Sequence, residues 1–118
     1  MKTEYAAAEP YVTKDGSVIR ELLHPSLHAV RNMSLAEAIV EGGTTTLLHR
    51  HRLSEEIYHV TEGAGLMRLG AAEFSIKAGD TIVIAPNTTH NVTNTGVGLL
   101  KILCACQPAY AHDDTELL

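Results

Sequence analysis

GTTTLLHRHRLSEEIYHVTEG, from Gly43 to Gly63, and GDTIVIAPNTTHNVTN, from Gly79 to Asn94, are the two stretches whose reading decides the fold. His49 and His51 stand two residues apart. On a strand, side chains at that spacing leave the same face of the sheet. The carboxylate pair Glu55 and Glu56 follows almost at once, and the second stretch adds His90. Three imidazoles and one carboxylate on strands are the donor set of a divalent-metal site.

The rest of the chain limits what such a site can sit in. With 118 residues and a net charge of −5, the chain is expected to be one domain over 1-118, with a single core. No basic stripe offers a footprint for phosphates, so nucleic acid is not the expected partner. No apolar run is long enough to span a membrane, and MKTEYAAAEPY lacks a signal-peptide core, which points to the cytoplasm. Cys104 and Cys106 sit at strand spacing, where a bridge between them would be strained, so both are read as reduced thiols.

Outward from the histidines, the periodicity is two. Glu56, Tyr58 and Val60 alternate with Ile57, His59 and Thr61; Met67 and Leu69 oppose Arg68; Phe74 and Ile76 oppose Glu73, Ser75 and Lys77. His90, Val92 and Asn94 share a face, as do Leu100, Ile102, Cys104 and Cys106, while Leu47 is placed beside His49 and His51 with Thr46 on the other face. Strands are also expected at Ser17 to Leu23, Leu27 to Met33 and Thr81 to Ala85. SLAEAIVE, from Ser34 to Glu41, has helical propensity. It shows no helical stripe and runs between strand signals, so it is assigned as a strand. Many short strands divided by glycine turns make an all-β sandwich or barrel. The ends, 1-14 and 108-118, are expected to be loosely attached. No phosphate loop, nucleophile elbow or zinc-type cysteine framework is present.

These residues resemble the cupin family. Its first motif, G-x5-H-x-H-x4-E-x6-G, is met at every interval by Gly43, His49, His51, Glu56 and Gly63, which selects Glu56 over Glu55. The second, G-x5-P-x-G-x2-H-x3-N, is met by Gly79, His90 and Asn94. Ala85 replaces its proline and Asn87 its glycine. Asn is the non-glycine residue that best tolerates positive φ, so the turn is expected to survive.

The resemblance implies a jelly-roll barrel of short antiparallel strands in which His49, His51, Glu56 and His90 hold one divalent transition-metal ion, Fe, Mn, Ni or Zn. It also implies a homodimer. Four such ligands can leave positions open for a small polar organic substrate. The expected activity is Lewis-acid chemistry of the isomerase or lyase type, or dioxygenase chemistry, with Tyr58 a nearby acid or hydrogen-bond donor. The alternative is a non-catalytic module that binds a small ligand or metal. His59 has the wrong parity for the metal, and His24, His28 and His112 read as surface or loop residues. Cys104 and Cys106 read as small hydrophobes in a buried strand, with a thiol near the metal as the rarer outcome.

Overall fold

The computed structural model describes residues Met1–Leu118. Eleven strands run in chain order: β1 (Tyr11–Val12), β2 (Val18–Leu23), β3 (Ser34–Val40), β4 (His49–His51), β5 (Glu55–Glu62), β6 (Ala64–Leu69), β7 (Ala72–Lys77), β8 (Thr81–Ile84), β9 (His90–Asn94), β10 (Leu100–Gln107) and β11 (Thr115–Leu117). One sheet has the order β1-β2-β3-β10-β5-β8, the other β11-β4-β9-β6-β7. Every ladder is antiparallel. The protein is an all-β jelly roll: the strand pattern predicts the all-β class, and the resemblance to cupins the jelly roll.

The alternation read from the sequence selects the core. Val60, Met67, Leu100, Ile102, Ile84 and Ile76 turn inward and are almost wholly buried between the sheets. SLAEAIVE is a strand because it lies between β2 and β10 and pairs with both along its length. Two ladders of backbone hydrogen bonds and a buried face outweigh the few tenths of a kcal/mol per residue that propensity offers a helix.

Three expectations are corrected. Leu27 to Met33 is not a strand but a run of turns and bends. The His24 carbonyl accepts from the amides of Leu27 and His28, and the His24 ring nitrogen Nδ1 accepts from the Ser26 amide, so local bonds occupy the backbone there. Leu47 does not share the face of His49: it is exposed, whereas Thr46 is buried against Val92. The strand begins only at His49, so the alternation does not extend back to Leu47.

The third correction concerns both ends, which are anchored rather than loose. At the start, Thr3 donates to the Leu22 carbonyl, Tyr5 to Glu37, and Tyr11 pairs with Ile19. At the end, β11 pairs with β4, and Asp114 accepts the amides of Leu53 and Ser54. Polar residues in these segments find specific partners across the fold, which composition alone does not reveal.

Asn87 is the only non-glycine residue with positive φ, at 66°, so the turn before His90 keeps its left-handed backbone with Asn in place of glycine. Its amide donates to the His51 carbonyl at 2.6 Å, which ties the turn to the strand bearing two of the histidines. Asn87→Ala is expected to lower stability by about 1 kcal/mol, the cost of placing an ordinary Cβ in that conformation, with Asn87→Gly close to neutral. Denaturant midpoints of the three proteins check this.

Candidate metal centre

The centre is built where β4 crosses β9. His49 and His90 are direct cross-strand partners, and His51 lies two residues along the same face. The ring centroids are 4.2 Å apart for His49 and His90, 5.2 Å for His49 and His51, and 5.5 Å for His51 and His90. One nitrogen of each ring lies within 4.8 Å of the others, and all three residues are buried.

The tautomers follow from the atoms behind the rings. His49 Nδ1 lies 2.9 Å from the Leu47 carbonyl, and His90 Nδ1 lies 2.9 Å from the Thr88 carbonyl. A carbonyl can only accept, so both Nδ1 atoms carry the proton. His51 Nδ1 is 3.0 Å from Thr115 Oγ1, whose own proton is donated to the Ala111 carbonyl. Thr115 is thereby left to accept, and His51 also donates through Nδ1. A neutral ring held this way presents its bare Nε2, the arrangement that metal-binding histidines adopt.

Glu56 on β5, in the opposite sheet, approaches two of the three rings. Its Oε1 is 3.2 Å from His51 Nε2 and 3.5 Å from His90 Nε2. Its Oε2 accepts from the Cys106 thiol at 3.2 Å. Burial works against the ionised carboxylate, but hydrogen bonding and positive charge from His51 and His90, when these rings hold a proton on Nε2, outweigh it and hold the Glu56 carboxyl down at about 2. Burial, and next the nearby His90, push the His49 imidazole below its usual value. Glu56 Oε1 and His90 Nε2 are nevertheless buried with no hydrogen-bond partner. Such atoms are rare in folded proteins, and a cation shared between them would satisfy both.

A cavity of about 40 Å³ opens beside the cluster, with His49, His51, Glu56 and Tyr58 in its wall. Burial, and then the Glu56 charge, raise the Tyr58 phenol well above its ordinary range, so it stays a neutral donor. The structure brings His49, His51, Glu56, His90 and Tyr58 close together. His59 points away and meets Thr81 instead.

Other wall residues escaped the sequence reading. Asp15, which precedes Gly16 in a turn, brings Oδ2 to 3.9 Å from His49 Nε2. Tyr11, Glu21, Tyr110 and Thr115 come from the two ends of the chain. The parity of Cys106 with Ile102 was the one advance signal for its place: on β10 it pairs directly with Glu56.

The cupin domain family model matches residues 36–106. The chain is a cupin. It is 56% identical over 118 residues to an uncharacterized protein, MJ1618, of Methanocaldococcus jannaschii, covering 100% of this chain and 94% of the other. An oxalate-binding protein of Thermotoga maritima is 29% identical over 84 residues, 71% of this chain and 65% of that one. Among solved structures, the nucleoside dehydratase Pac13 of Streptomyces superposes with a TM-score of 0.81 at 19% identity, covering 100% of this cupin and 90% of Pac13. At that identity the likeness concerns the fold alone.

In this cupin the orientation of His51 depends on a residue from the tail. Thr115→Val removes the acceptor behind Nδ1 while keeping the volume, and is expected to weaken divalent-metal affinity about ten-fold with the fold intact. Zinc or cobalt titration, beside a thermal melt, checks this.

Proposed function

We propose that this cupin binds one divalent transition-metal ion through His49, His51, His90 and Glu56, and acts on a small polar organic molecule held in the adjoining cavity. The observation that carries the reading is the set of three buried imidazoles fixed through Nδ1, two of which, His51 and His90, turn Nε2 toward a Glu56 oxygen that has no hydrogen-bond partner. When bound, iron, manganese, nickel or zinc would supply Lewis-acid polarisation of a carbonyl or hydroxyl, or, for a redox-active ion, activation of dioxygen.

The protein's own residues supply the rest. Cys106 steadies Glu56, Thr115 steadies His51, and Tyr58 offers a neutral phenol to the ligand. The two sheets would exclude bulk water from a bound ion, which would strengthen every charge interaction there. A second reading, a binding module without turnover, is favoured by the oxalate-binding relative. Consumption of a small substrate that stops on metal removal separates the two.

Elemental analysis is the test of the metal. About one equivalent of a transition metal is expected in the native protein or after reconstitution, falling at least ten-fold in Glu56→Gln and His90→Ala variants that keep their circular dichroism. A native protein that neither holds nor takes up metal would overturn the reading.

The proposal includes a homodimer in a reducing compartment, the cytoplasm. Both cysteines are free and buried, which suits such a compartment. Ile57 and Val83 are cross-strand partners on the outer face of β5 and the edge strand β8, 44% and 61% exposed. An apolar pair beside an open edge is a surface that a second copy would cover. Light scattering is expected to give twice the chain mass of 12.7 kDa for the native protein, and a shift toward monomer for Val83→Lys.

A further inference from the structure

The cavity wall built by β1, β2 and the loop between them has a character of its own. Ser17, Ile19 and Glu21 turn into the cavity from the β2 segment, Tyr11 from β1, and Asp15 from the loop between them. Glu21 Oε1 accepts from the Tyr11 hydroxyl at 2.7 Å, but its Oε2 is buried with no partner. Asp15 uses Oδ1 for the amide and hydroxyl of Ser17 and turns Oδ2 toward His49. With Glu56, whose side chain is 5% exposed and whose Oε1 also lacks a partner, three carboxylates line the cavity. None of its lining residues is Lys or Arg, and neither Asp15 nor Glu21 forms an ion pair with a basic side chain other than histidine.

Two orphaned carboxylate oxygens in one enclosed space ask for hydrogen-bond donors or positive charge. A divalent ion can answer Glu56. It leaves Glu21, three strands away along the same sheet, where an acceptor-only ligand group would meet like charge in a medium of low dielectric.

We propose that Glu21 is the specificity-determining residue of the cavity, and that it selects a neutral or cationic ligand whose hydroxyl, amide or amine donates to its free oxygen, against dicarboxylates such as oxalate. The inference rests on this cavity being the ligand site and deepens the functional reading given above. The ligand has two ends: an oxygen for the metal side and a donor for Glu21. Asp15, beside His49, adds to the same selection by its charge. The chain thus parts from its oxalate-binding relative in what it accepts, while sharing the cupin frame.

Glycolate and glycolamide make the test, because they match in size and differ in carrying a carboxylate or a donating amide. Dissociation constants are measured by chemical-shift titration of cavity residues in zinc-loaded and in metal-free protein. Glu21→Gln, which keeps the shape and can still accept from Tyr11, is expected to lower the ratio of the glycolate constant to the glycolamide constant by about ten-fold or more. Tyr11→Phe keeps the charge and is expected to leave the ratio unchanged, which separates the carboxylate's effect from a general disturbance of the wall. An unchanged ratio in Glu21→Gln, an equal fall in Tyr11→Phe, or no shift at cavity residues with either ligand at millimolar concentration would each overturn the inference. Failure to take up zinc would overturn only the metal reading, since the comparison in metal-free protein reads Glu21 directly.

Discussion

The site depends on one cross-strand pairing, His49 against His90. Strand β4 is three residues long and meets β9 at that single position, so a slip of one residue would turn both His49 and His51 out of the barrel. A contact so short would hold little by itself. Its other edge is taken by β11, which pairs with all three residues of β4 and continues as the Leu118 amide donates to the Leu48 carbonyl. The C-terminal strand is therefore part of the centre's scaffold: it fixes the backbone of the histidine strand, and through Thr115 it fixes one of the rings.

Electrostatics acts on the same few atoms. Three rings whose Nδ1 atoms donate backward leave lone pairs facing carboxylates, Glu56 for His51 and His90 and Asp15 for His49, an arrangement that is repulsive while all three rings are neutral. Positive charge relieves it, as a proton on one imidazole or as a divalent ion that meets all the donors at once. The Cys106 thiol hydrogen bond keeps Glu56 aimed at this point, and burial, followed by the charge of Glu56, raises the thiol so that it remains a donor. Cys106 thus acts through the carboxylate as a protonated group and adds no second negative charge.

How much of this could be read in advance follows from the kind of information each feature needs. Spacing and parity are local, so Gly43, His49, His51, Glu56, Gly63, His90 and Asn94 were legible, and so was the tolerance of Asn87 for the turn. The strand at Ser34–Val40 was legible against its propensity because its surroundings, rather than its own residues, decide it. Pairing is not local. Thr115 lies 64 residues from His51, and Tyr110 reaches Thr13 across 97 residues. No periodicity in PAYAHDDTELL announces either contact. Asp15 was visible only as a turn residue, and Glu21 as one charge in a strand, because a sequence shows which face a side chain takes and not what stands across the cavity from it.

The division between legible and hidden residues coincides with a division in the fold. The part matched by the cupin family, residues 36–106, contains His49, His51, Glu56, His90, Tyr58 and both cysteines. Tyr11, Asp15, Glu21, Tyr110 and Thr115 all lie outside it, yet each lines the cavity. The frame shared with other cupins holds the histidine cluster, and the flanking segments close the cavity over it and add Asp15 and Glu21 to its lining. Similarity to MJ1618 runs through these flanks as well, at 56% identity over the whole chain, whereas the oxalate-binding relative matches over only 84 residues. Selection of a ligand by charge belongs to the flanks because a donor set that must hold a cation leaves little freedom within the frame.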